Sequence, residues 1–139
     1  MDHCLCVCEL LKAASSLSER KLNEVLSKLG VSHCQAQILL AVQEKPVAMS
    51  ALSKALCCHK SNITQVVDGL DEKGFIQRVP SLTDKRVCAL KLTPKGKKAC
   101  VIIDKVLKRQ ATECMKIFTP KEKQQLAELL RKYIGESSK

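Results

Sequence analysis

Between Leu52 and Leu92 the apolar residues change their period, and the change predicts two short helices followed by a β-hairpin. In the first helix, over 51–56, Leu52, Ala55 and Leu56 share one face at i, i+3, i+4 spacing. In the second, Ile63, Val66, Val67 and Leu70 form a single stripe. Its opposite face carries Ser61, Gln65 and Asp68, flanked by Asn62 and Thr64. Short polar side chains of this kind exchange hydrogen bonds with base edges, on a helix that fits the major groove. Gly74 is the expected left-handed cap. Beyond it, residues 75–79 and 87–92 read as strands, the second with Cys88, Leu90 and Leu92 on one side. Val47-Ala48-Met49 adds a short third strand, and Ser50 is expected to cap the first of the two helices. The fold class predicted is mainly α with a small β-wing.

The flanking segments are helical. A long first helix is predicted over 2–29, with Leu22, Val25, Leu26 and Leu29 as its clearest stripe and Gly30 as its stop. Ser32, with Gln35 three residues on, forms a capping box for a second helix that buries Ile38, Leu39, Ala41 and Val42 and ends at Pro46. Thr93-Pro94 opens a helix running to about Phe118, with Ala99, Ile102, Ile103, Val106 and Leu107 as its stripe. Thr119-Pro120-Lys121-Glu122 repeats the signal and starts a last helix with Leu126, Leu129, Leu130, Tyr133 and Ile134 on one face. Residues 135–139 read as a frayed tail. The terminal helices carry more apolar length than a small wing domain needs to cover itself, which predicts association between subunits. The organisation expected is one domain over 1–139, with 1–30 and 97–135 as dimerisation helices and 32–96 as a winged helix-turn-helix.

Composition narrows the partner. The chain has 24 Lys and Arg against 14 Asp and Glu, a net charge of +10 over 139 residues, which favours a polyanion. Apolar residues make up 45% but aromatic residues only 2%, so the core must be aliphatic. No run of about 18 apolar residues is present to span a membrane. Met1-Asp2-His3 lacks the basic start of a signal peptide, and the expected location is the cytoplasm. Nine cysteines in a reducing compartment are expected to be thiols, metal ligands or switches rather than a disulfide framework. There is no G-x-S-x-G, phosphate-binding glycine loop or H-E-x-x-H motif, and His3, His33 and His59 are scattered. His59 beside Cys57 and Cys58 offers a weak nucleophile pair, at a helix threshold that would face DNA. Neither an enzyme nor a cofactor is expected.

Three segments resemble one family in the right order. Asp84-Lys85-Arg86 followed by Leu92-Thr93-Pro94-Lys95-Gly96 is similar to the wing and exit of MarR-type transcriptional regulators, D-x-R and then L-T-x-x-G. Residues 67–76 are similar to the end of that family's recognition helix. The resemblance implies a homodimer that reads a palindromic double-stranded operator. Lys60, Ser61, Asn62, Thr64, Gln65, Arg78, Lys85 and Arg86 are the candidate DNA contacts, with Asp84 orienting the fork of Arg86.

The cysteines divide into groups. Cys4, Cys6 and Cys8 form C-x-C-x-C, which on a helix puts Cys4 and Cys8 on one face. These are small hydrophobes of a helix interface, weak metal candidates, or a redox site. Residues 8–15 are similar to the segment around the sensing cysteine in the thiol-sensing branch of the MarR family, and Cys8 falls on the sensing position. That branch's one-cysteine members place tyrosines beside the thiol, where this chain has Lys12 and Leu22. Lys12, one turn away, favours thiolate. Two-cysteine members carry a resolving thiol near the end of the fifth helix, and Cys114 occupies that region. Cys57 and Cys58, before the recognition helix, are second choices, while Cys34, Cys88 and Cys100 are expected in the core. Two alternatives to an oxidation-released repressor follow: a MarR-like regulator that senses a small phenolic or anionic ligand, and a metal-binding protein built on the N-terminal cysteines.

Overall fold

Helix starts are set by side chains that take up otherwise unpaired amides. The computed structural model describes residues 2–55 and 60–136. Its order is α1 (His3–Ser27), α2 (His33–Ala41), β1 (Val47–Ala48), α3 (Met49–Ala55), α4 (Lys60–Glu72), β2 (Ile76–Pro80), β3 (Cys88–Leu92), α5 (Pro94–Met115) and α6 (Pro120–Ile134). Complete capping boxes open α2 (Ser32 with Gln35) and α6 (Thr119 with Glu122), as their sequences predict, while Asp2, expected within α1, is its cap and the helix ends at Ser27 rather than Leu29. The strands form an antiparallel sheet in the order β1-β3-β2, with Val47 opposite Leu90 and Ile76 opposite Leu92. This is the expected fold class.

Two compact units divide the chain, one ending at Val106 and one beginning at Leu107. The core of the first includes Leu26, Ile38, Leu39, Leu52, Ile63, Val67, Leu70, Ile76, Leu90 and Ile103, all nearly or fully buried. Each such leucine or isoleucine contributes on the order of 2 kcal/mol. In the second unit no residue of α6 is fully buried: Leu126 and Ala127 are half-buried, and Tyr133 is 69% exposed and Ile134 62%. On α1, Leu5 and Leu10 are also exposed, at 60% and 62%.

Several local expectations change. Ser50 lies inside α3, which starts at Met49 directly from β1. Helix α2 stops at Ala41: the next polar residues, Gln43, Glu44 and Lys45, have no apolar face to bury, and Pro46 disfavours helix before it. Ala41 is exposed and Ala36 is buried in its place. Helix α5 ends at Met115, where the chain tightens into i→i+3 bonds (Phe118 N to Met115 O, 3.1 Å) ahead of the Thr119 cap. Strand β3 is central and has Ala89 as well as Leu90 and Leu92 buried. Of the three cysteines assigned to the core only Cys100 is buried, its thiol donating to Leu39 O at 3.5 Å, while Cys34 and Cys88 are half-buried. Residues 137–139 of the expected tail lie outside the described residues, but Gly135, at φ 82°, and Glu136 close α6 through backbone bonds to Lys132 and Arg131.

Candidate nucleic-acid interface

Helix α4 is fixed from beneath by Ile63, Val67 and Leu70, which leaves Asn62, Thr64, Gln65 and Asp68 exposed. The side chains of Lys60 and Ser61, and all of Cys57, Cys58 and His59, lie outside the described residues. Gln65→Ala is expected to weaken specific duplex binding by about 1 to 3 kcal/mol, the value of a good base contact. Binding to random duplex should hardly change. Titrations on both DNAs check this, and equal losses would make Gln65 a backbone contact instead.

The far end of α4 is closed by paired backbone bonds, Phe75 N to Leu70 O (3.1 Å) and Gly74 N to Asp71 O (2.9 Å), with Gly74 at φ 76°. The two carbonyls that follow are taken by the turn into α5. Thr93 Oγ1 donates to Gly74 O at 2.6 Å and accepts from Gly96 N at 3.0 Å, while Lys95 Nζ donates to Lys73 O at 2.7 Å. Thr93 N also donates to Phe75 O at 3.1 Å. The L-T-P-K-G segment therefore staples the end of α4 to the start of α5. Lys73 adds a tie in the other direction, its ammonium bonding Gly30 O and, at 3.1 Å, Gln35 Oε1.

The wing turn is braced internally. Ser81 N bonds Val87 O at 2.8 Å, and Val87 N bonds Asp84 O at 3.0 Å. Asp84 Oδ1 accepts from Arg86 N at 3.0 Å and Arg86 Nε at 3.3 Å, with a weaker contact from Nη2 to Oδ2 at 3.5 Å. The backbone bond from Arg86, and then its side chain, hold the Asp84 carboxyl below the ordinary carboxylate range. A depressed carboxylate keeps such bonds at neutral pH and loses them only as pH falls through its lowered pKa. Arg86 is held in one direction although its side chain is 92% exposed. The turn thus presents an exposed Arg86 whose fork is bonded to Asp84. Lys85 is exposed beside them.

Arg78 is placed differently from the other cations. Its guanidinium bonds Asp68, and Asp71 Oδ2 at 2.7 Å, so it bridges β2 to α4. Chiefly the hydrogen bond to Asp68 raises its pKa further. Asp68, placed by periodicity on the base-facing side, is thus engaged by a strand residue. The i, i+3 spacing of Asp68 and Asp71 was the available signal, but it did not identify their partner.

Among the thiols, Cys4 and Cys8 are exposed on α1 and Cys6 is half-buried. Lys12 Nζ lies 3.6 Å from Glu9. Cys114 is half-buried, with Gln110 Nε2 at 3.2 Å from its sulfur. Among the described residues, no three His, Cys, Asp or Glu side chains converge as a metal site. A feature not anticipated in detail is a cavity of about 260 Å³ whose walls include Leu29, Val31, Phe75, Ile102 and Ile103, with Lys95 and Lys98 in its lining.

The likeness to known proteins is concentrated in the stretch from α2 to the start of β3. Residues 36–88 match the MarR family. The multiple antibiotic resistance protein MarR of Salmonella typhimurium is 32% identical over 92 residues, 66% of this chain and 64% of its own length. The chain spans 55 to 64% of the length of four curated relatives that it matches. Among solved structures, the transcriptional regulator BldR from Sulfolobus solfataricus superposes with TM-score 0.82 at 27% identity, covering 97% of this chain and 99% of that one. A cysteine-to-serine mutant of MarR from E. coli, in complex with operator DNA, gives TM-score 0.82 at 28% identity, with 90% and 91% covered. The MarR-type winged helix therefore extends over nearly the whole chain as a fold. Among the described residues no helix is long and apolar enough to cross a membrane.

Proposed function

We propose that this protein is a transcriptional regulator, acting as a repressor, that binds a pseudo-palindromic operator as a homodimer. The observation that carries the reading is the pairing of an outward polar face on α4 with an exposed Arg86 indexed by Asp84. A helix of this kind reads base edges while the wing cation meets phosphate or minor groove. Segment 32–96 binds DNA, and 1–30 with 97–135 form the subunit interface. The exposed apolar side chains of α1 and α6 support that interface. Selection from a random duplex pool, followed by footprinting and sedimentation of the complex, tests it. The expected result is a two-fold-symmetric site bound by two chains, and sequence-independent binding by a monomer would overturn the reading.

Release is assigned to oxidation of Cys8, whose exposure on α1 lets a hydroperoxide reach it. The thiolate takes the distal oxygen to give a sulfenic acid and the corresponding alcohol. Condensation with Cys114 of the partner subunit then forms a disulfide and releases water. Peroxide is expected to cross-link the wild type and free the operator, whereas Cys8→Ser should do neither. A non-reducing gel run beside operator titrations checks this. Release that survives in Cys8→Ser would move the trigger to Cys57 or Cys58, and release that survives only in Cys114→Ser would leave a one-cysteine mechanism.

The cavity supports a second trigger, a small phenolic or other anionic ligand. Its apolar walls accept a hydrophobic body, and Lys95 and Lys98 supply the opposite charge. A metal-binding role for Cys4, Cys6 and Cys8 is the remaining alternative, and metal analysis of the purified protein separates it from thiol sensing.

A further inference from the structure

Lys95 stands at two places at once. Its side chain lines the cavity, yet its ammonium is already used outside it, donating to Lys73 O at 2.7 Å and lying 5.0 Å from the centre of the Phe75 ring. Lys73 is the residue that follows the last turn of α4, and its carbonyl points out of a helix end whose negative dipole favours a cation. The cavity wall is formed by neighbours of the other ties as well. Leu29 and Val31 flank Gly30, whose carbonyl holds Lys73 Nζ, and Phe75 follows Gly74, whose carbonyl holds Thr93.

We propose that Lys95 is the positioning residue that couples this cavity to the recognition helix: a small carboxylate with an apolar body draws its ammonium from the Lys73 carbonyl. The inference rests on the anionic-ligand reading of the cavity. The direction of exchange follows from bond strengths. The bond to the Lys73 carbonyl has one ionised partner, whereas a carboxylate meets the ammonium with a full opposite charge, and the attraction between the two is strengthened among apolar walls. Once Lys95 turns, the end of α4 keeps its bond from Thr93 but loses the cation that faces its dipole. The helix end is then free to shift against the wing, and both half-sites of a symmetric operator feel the change together. A ligand moves this equilibrium only by its preference for one state, so DNA must weaken ligand binding by the same factor that ligand weakens DNA binding.

Benzoate is the probe, with benzyl alcohol as its uncharged counterpart. Full-length protein is titrated with operator duplex in millimolar concentrations of each, and amide and methyl NMR spectra are recorded alongside. The peptide nitrogen of Gly74 shares its peptide group with the Lys73 carbonyl, so it reports directly on the bond from Lys95. Benzoate, and not benzyl alcohol, is expected to lower operator affinity about tenfold, within the usual range of allosteric coupling. It should also move the Gly74 amide toward its position in Lys95→Met. That variant is expected to bind operator more weakly from the start and to respond to benzoate by less than about twofold. If benzoate shifts the Ile103 methyls of the wild type but leaves the Gly74 amide unmoved, the coupling is overturned while the cavity remains a ligand site. If it shifts neither, the cavity reading falls and the coupling falls with it.

Discussion

Gly96→Ala is expected to destabilise the protein by about 3 kcal/mol, at the upper end of the cost of overpacking. A glycine-to-alanine change within a helix ordinarily gains about 1 kcal/mol, so the sign itself is diagnostic. Gly96 lies in the first turn of α5 and is buried, and a Cβ there would stand 2.1 Å from Phe75 O and 3.1 Å from Leu92 Cδ2. The near atom is backbone and already accepts from Thr93 N, so relief requires the backbone at Phe75, just before β2, to separate from α5. That separation removes the Thr93 and Lys95 bonds that close the end of α4, and DNA affinity should fall with stability. Denaturant and thermal unfolding provide the measure, with a drop in Tm on the order of 10 °C. Gly30→Ala is the control: its backbone is left-handed, at φ 76°, but nothing lies within 4 Å of an added Cβ, so only strain of about 1 to 2 kcal/mol is expected. A Gly96→Ala variant as stable as the wild type would show that the turn into α5 is not the rigid staple described.

Arg86→Ala is expected to cost about 2 kcal/mol of operator affinity, roughly thirtyfold, and to make the salt dependence shallower by about one unit of slope. The side chain is 92% exposed, so its removal leaves the fold intact, and the loss reads directly on DNA. Asp84→Asn separates charge from aim. It removes the carboxylate that fixes the guanidinium but keeps the cation, so the salt slope should stay near that of the wild type while discrimination between operator and random duplex shrinks. Affinity measured over a salt series for the three proteins decides between these roles. An unchanged slope in Arg86→Ala would take this residue away from phosphate and groove alike.

Much of this architecture was legible in the chain because it rests on local rules. The capping boxes at Ser32 and Thr119, the left-handed stop at Gly74 and the switch from helical to alternating period at Ile76 each need only a few neighbouring residues to form. Asp84 and Arg86 are two residues apart, so their pairing was visible too. Where local rules competed, the reading drifted, as at Ser50, which entered α3, and at Ala41, which faced outward when α2 stopped short of Pro46. The tertiary structure alone decided what joins distant segments. It took Asp68 and Asp71 for Arg78 and set Lys95 on the carbonyl of Lys73, 22 residues earlier. It also opened a cavity between walls contributed by the 29–31 turn, Phe75 and α5. A long polar side chain has many acceptors within reach of its own sequence neighbours, and only packing determines which distant one it meets. The choice is therefore made by the burial of Ile63, Val67, Leu70 and Ile103 that brings those segments together.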